Sequence, residues 1–208
     1  PPPGGCLVVT RDDGARRFAC ADGATLELPA ACCPASAVLP GSFLAATQED
    51  VRALECVTSI DGDLHVTVVG GWVELPRLVE LTGSLVYDGD DRLQVLRLPA
   101  LLRVGGTVSM TARGGHVPES DFLESDVTVD APLATELGGL ALTAESVGAY
   151  LPSLVRTGML SLVSEGEYWP GLELDALEEV TGPVFVAAHQ FRSEFPRLRR
   201  ARSVRFVR

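Results

Sequence analysis

Five cysteines, Cys6, Cys20, Cys32, Cys33 and Cys56, carry the most constrained chemistry in this 208-residue chain. All fall within the first 56 positions. No Cys-x-x-Cys occurs, and the three His are remote in sequence, so a zinc cluster has little support. The pattern predicts two disulfides stapling an N-terminal cap in an exported chain: Cys6–Cys20, plus Cys56 with either Cys32 or Cys33. A second set, Trp72, Arg92, His116, Tyr168, Trp169 and Arg192, lies about ten residues after a recurring glycine. Aromatic and Arg side chains anchor interfaces, and aromatic rings stack on sugars, so this set predicts a protein or glycan site. Packing beneath the loops is the alternative for both Trp residues. Phe122 joins the candidates because it sits in a polar insertion, Thr111 to Asp126, that breaks the local period.

A third set is cationic. The last 17 residues hold seven Arg, among them Arg197, Arg199, Arg200 and Arg205, against the single acid Glu194. Such an end guards a strand edge, docks head to tail on an acidic body, or grips anionic lipid or lipopolysaccharide. Asp88-Gly89-Asp90-Asp91 offers oxygen ligands but lacks the EF-hand spacing, and reads as an acidic turn. Gly-x-Ser-x-Gly, a phosphate-cradling glycine loop and His-Glu-x-x-His are all missing. Neither a catalytic residue nor a metal or cofactor is expected. The net charge of −11 argues against nucleic acid as the main partner. No apolar run approaches the roughly 20 residues of a membrane-spanning helix. Lys and Asn are absent, so there is no N-glycosylation sequon.

The elements that must position these residues follow from spacing. Leu7–Thr10, Arg16–Cys20 and Thr25–Leu28, parted by Asp12-Asp13-Gly14 and Asp22-Gly23, predict a short β-meander. Thr47 is placed as the N-cap of a short amphipathic helix over Gln48–Leu54. From residue 54 a unit like Leu-Pro-x-Leu is followed, five or six residues on, by Gly-x-apolar-x-apolar. The leading positions are Gly62, Gly83, Gly106, Gly138, Gly158, Gly182 and, without the glycine, Arg202.

Steps of 20 to 24 residues, with one of 32, mean a solenoid. Each copy supplies a strand too short to bury its own apolar side, and stacking makes one continuous core. A second strand per coil is visible at Trp72–Leu75, Gln94–Leu98 and Val127–Val129. The fold expected is mainly β, a solenoid of about seven coils over 48–208 with a cysteine-rich β cap over 1–47. On its outer face His65, Val86, Ser109, Ala141, Ser161, Phe185 and Arg205 form one ladder.

Cys56-Val57-Thr58-Ser59-Ile60-Asp61-Gly62-Asp63-Leu64-His65-Val66, followed by copies such as Leu81-Thr82-Gly83-Ser84-Leu85-Val86-Tyr87, resembles the opening of receptor L domains. These are leucine-rich, right-handed β-helix modules of growth-factor receptors, with similar domains on bacterial surface proteins. The resemblance covers about residues 54–208 and implies recognition or adhesion rather than catalysis. This sequence has Val69, Asp90, Arg113 and Glu165 where the family often has Asn, so family ligands are not carried over.

The functional expectation is a non-catalytic binding or adhesion module, extracellular or at a cell surface such as a bacterial outer membrane. One alternative is a structural subunit assembling through its solenoid ends. A weaker alternative is a polysaccharide-active β-helix enzyme.

Overall fold

The computed structural model describes residues 5–29, 33–68, 71–88, 94–112, 127–166, 171–188 and 195–207. Its N-terminal elements are β1 (Gly5–Thr10), β2 (Arg16–Cys20), β3 (Thr25–Leu28), β4 (Val38–Leu39), β5 (Ser42–Ala45) and the helix α1 (Gln48–Ala53). The repeats then supply β6 (Ser59–Ile60), β7 (Leu64–Val66), β8 (Gly71–Glu74), β9 (Glu80–Leu81), β10 (Leu85–Asp88) and β11 (Gln94–Arg97). They continue through β12 (Arg103–Thr111), β13 (Val127–Asp130), β14 (Glu136–Ala144), β15 (Val147–Tyr150) and β16 (Arg156–Thr157). The last are β17 (Leu160–Ser164), β18 (Gly171–Glu173), β19 (Glu179–Ala188) and β20 (Arg200–Val207).

These strands wind into a mainly β solenoid of about six turns, close to the seven coils expected. Equivalent strands of successive coils pair in parallel, in a 15-stranded sheet on one side and a five-stranded sheet, β8-β11-β13-β15-β18, on the other. The predicted second strand of each coil is this smaller sheet. Parallel pairing starts before residue 48, because β5 already stacks on β7 and β4 on β6.

Period-2 patterning sets which side chains enter the core. Leu64, Leu85, Val108, Leu140, Leu160 and Val184 stack as one buried column, and Val66, Tyr87, Met110, Leu142, Leu162 and Val186 as the next. Between them the predicted outer ladder is present in register: His65, Val86, Ser109, Ala141, Ser161, Phe185, Arg205. Each fully buried Leu or Val is worth about 1.5–3 kcal/mol relative to exposure.

The Leu-Pro-x-Leu units are β-turns. Leu78 N donates to Leu75 O, Leu101 N to Leu98 O and Leu154 N to Leu151 O, at 3.1–3.3 Å. Proline occupies the second turn position, where its fixed φ fits and no amide donor is needed. The flanking leucines of all three turns are buried.

Gly62, Gly83 and Gly158 lie at bends just before their strands, and the strand pairing shifts register next to Gly106 and Gly182. β12, β14 and β19 run through Gly106, Gly138 and Gly182 as single strands of nine or ten residues. What excludes a side chain there is the coil beneath: a Cβ on Gly158 would lie 1.9 Å from Gly138 O, and one on Gly138 2.1 Å from Gly105 O.

At the N-terminal end β1–β2–β3 form the expected meander, and β1 joins β5 in parallel. Two disulfides staple it, Cys6–Cys20 and Cys33–Cys56. The choice left open by spacing thus falls to Cys33; Cys32 lies outside the described residues. Thr47 caps α1 in a capping box, its Oγ1 accepting from Asp50 N at 3.1 Å while Asp50 Oδ2 accepts from Thr47 N at 2.8 Å.

Candidate functional site

The solenoid presents three surfaces that position polar or exposed apolar chemistry. The first is a charge ladder. Two residues after the closing apolar residue of each turn, Glu80, Arg103, Glu136, Arg156, Glu179 and Arg200 stand in one register-paired column. The sign alternates at every rung. Arg103 Nη2 meets Glu80 Oε1 at 2.7 Å, and Arg156 lies 3.8 Å from Glu136 and 3.2 Å from Glu179. Arg200 reaches Glu179 at 4.0 Å. These side chains are partly exposed, so each pair is worth at most about 1 kcal/mol; a slip along the strand parts the opposite charges, and pairing that skips a coil sets like charges together. Beside the ladder runs a groove of about 360 Å³ along Gly105, Gly138 and Gly158. Its charged walls are already matched to one another, which leaves little field for a charged ligand.

The second surface is the outer face of the smaller sheet. Trp72 on β8 is half exposed, and the Arg97 guanidinium lies 4.2 Å from its ring centroid. Asp130 is 3.8 Å from Arg97 Nε and is followed in the same row by the exposed Tyr150. The Trp72 ring is thus covered on one part by Arg97 and open to solvent on the rest. Arg92, His116, Phe122, Tyr168, Trp169 and Arg192, expected beside it, lie outside the described residues, as do Gly89, Asp90 and Asp91 of the acidic turn.

The third surface is the C-terminal end, and here the interior column comes into the open. Val204 and Phe206 continue the register of Val184 and Val186. Those two are 1% exposed, whereas Val204 is 49% and Phe206 53% exposed. Among the described strands β20 pairs only with β19. Arg197, Arg199, Arg200 and Arg205 are all exposed on this last coil, with Arg205 5.9 Å from the Phe185 ring. The coil thus combines a strand that, among the described strands, pairs on one side only, two half-exposed apolar side chains and a set of cations.

No protein-family model, curated protein or solved structure matches the chain. Among the described residues no group of three or more His, Cys, Asp or Glu is placed to hold a metal, and no helix is long and apolar enough to cross a membrane.

In the interior, Tyr87 is fully buried with its hydroxyl unpartnered, and burial raises its pKa above the ordinary tyrosine value. Gln94 is equally buried; its Nε2 donates to Thr111 O at 3.4 Å while Oε1 has no partner.

Sequence reasoning found the basic last coil but missed the charge ladder. Its signal was present: an ionisable residue of alternating sign at a constant offset of two from each turn's closing Leu or Ala.

Proposed function

We propose that this chain is a non-catalytic interaction module of an exported or cell-surface protein, and that its last coil receives a β-strand from a protein partner. One observation carries the reading: the interior column surfaces at Val204 and Phe206 along a strand edge. Adding a strand satisfies edge amides and carbonyls and covers the apolar pair at the same time. The two disulfides fit an oxidising compartment. The receptor L-domain-like pattern of the repeats supports a recognition role.

The test is a fluorescent peptide with the sequence of residues 177–188, the chain's own Glu-bearing strand. Fluorescence anisotropy is expected to show binding to the chain, weakened at least tenfold by Phe206→Asp and unchanged by Trp72→Ala. Equal binding to the Phe206→Asp variant refutes the reading. A second reading rests on Trp72, whose half-exposed ring beside Arg97, on the sheet that carries the exposed Tyr150 three strands away, suits sugar stacking. Retention on a glycan array that Trp72→Ala abolishes is the result expected of it.

A further inference from the structure

We infer that the strand seated on β20 belongs to a second copy of this chain, joined head to tail through β3. The inference rests on the proposed end-on reading and names its partner. β3 and β20 are the two outlying edges of one 15-stranded sheet: among the described strands, β3 pairs only with β2 and β20 only with β19.

Their directions are compatible. β1 is parallel to the solenoid strand β5, β2 is antiparallel to β1, and β3 is antiparallel to β2. β3 therefore runs the same way as β5 and the strands stacked in parallel on it in the larger sheet. A second copy whose β3 meets β20 head to tail adds one more parallel strand, with no reversal of direction.

The side chains match as well. Leu26 is register-paired with the fully buried Phe18, so Leu26 and Leu28 belong to the interior face and Glu27 to the outer one. On β20, Val204 and Phe206 are interior and Arg205 outer. Setting Leu26-Glu27-Leu28 against Val204-Arg205-Phe206 places apolar on apolar and a carboxylate on a guanidinium. Glu27 already faces Arg11 at 3.0 Å and Arg17 at 3.9 Å, and its side chain remains 60% exposed.

The long-range field points the same way, since an acidic body precedes a C-terminal stretch of seven Arg and one Glu. The opposite arrangement, two C-terminal ends face to face, would set Arg199, Arg200, Arg202 and Arg205 against their own copies. A head-to-tail contact is heterologous and, unless it closes, builds a linear filament rather than a ring.

Light scattering across concentration, on oxidised protein at low and high salt, tests the inference. The expected result is mass that grows with concentration at low salt and falls back in high salt. Arg205→Glu and Glu27→Arg each raise the concentration needed at least tenfold. An equimolar mixture of the two variants associates again, because the exchanged charges meet as an opposite-sign pair across the junction. Glu27→Gln serves as the milder variant, with circular dichroism confirming that the hairpin is folded.

A constant mass near 22 kDa, with the residue 177–188 peptide still bound at β20, overturns this inference and leaves the end-on reading standing. A constant mass with no peptide bound refutes both. Growth that Arg205→Glu and Glu27→Gln leave untouched also overturns the inference, because another surface then joins the copies.

Discussion

Replacing Gly158 by alanine tests the packing of one coil on the next. The new Cβ would lie 1.9 Å from Gly138 O, and real contacts essentially never fall below 3.0 Å, so the two coils must part locally by about 1.1 Å. The atom in the way is backbone, which cannot swing aside as a side chain can. Two hydrogen bonds cross this junction, Gly158 N to Leu137 O at 3.0 Å and Leu140 N to Met159 O at 2.9 Å. Opening by that amount takes both to about 4 Å, beyond hydrogen-bonding range. Each loss costs about 1 kcal/mol net, and more where the freed group stays buried, for a total of about 2–4 kcal/mol. For a chain of this length 1 kcal/mol corresponds to about 2–4 °C, so Tm is expected to fall by about 5–15 °C. Differential scanning calorimetry reads this directly. Gly171→Ala is the control, because a Cβ there meets nothing within 4 Å. A Gly158→Ala protein melting within about 2 °C of the parent, level with this control, would refute the close-stacking account.

Three further outcomes are expected. Arg156→Glu sets three acids in a row with Glu136 and Glu179; Tm should drop by about 2–5 °C at low salt, with most of the loss recovered in 1 M NaCl. Tyr87→Phe removes a buried unpartnered hydroxyl and should raise stability by up to about 1 kcal/mol in urea unfolding. Burial raises the Tyr87 pKa above 10.0, so the fold favours the neutral phenol and its contribution is complete below pH 10. Above that the unfolded chain ionises first and stability falls, a slope that Tyr87→Phe should remove. Non-reducing peptide mapping should recover Cys33 linked to Cys56, and replacing both by Ser should cost about 2–4 kcal/mol.

Much of the solenoid was legible because its signal is local and repeated. The outward row from His65 to Arg205 follows from strict alternation next to a fixed marker, and the capping box from Thr47 with Asp50 three residues on. Val38–Leu39 and Ser42–Ala45 join the stack without a Leu-Pro-x-Leu turn before them, but Gly41, 21 residues before Gly62, leads Phe43 and Ala45 in the same Gly-x-apolar-x-apolar pattern, a signal that was present and missed. Cys32 and Cys33 differ by one residue, and only the path of the chain decides which reaches Cys56. The glycines mark the strands correctly, yet their physical reason lies in a carbonyl some 20 residues away, which no local window contains. The part of Glu27 was hidden for a related reason. Its importance depends on β3 running in the solenoid direction, and that emerges only once two antiparallel pairings are compounded.

The alternating ladder also limits how this chain can change in length. Excising one coil brings Glu against Glu or Arg against Arg at the junction, whereas excising two restores the sequence of signs. Duplication obeys the same parity, because one inserted coil repeats a sign while a pair does not. Coils of this solenoid are therefore gained and lost most cheaply in twos. The terminal rung keeps its charge through every such change, and so does the C-terminal coil that carries it.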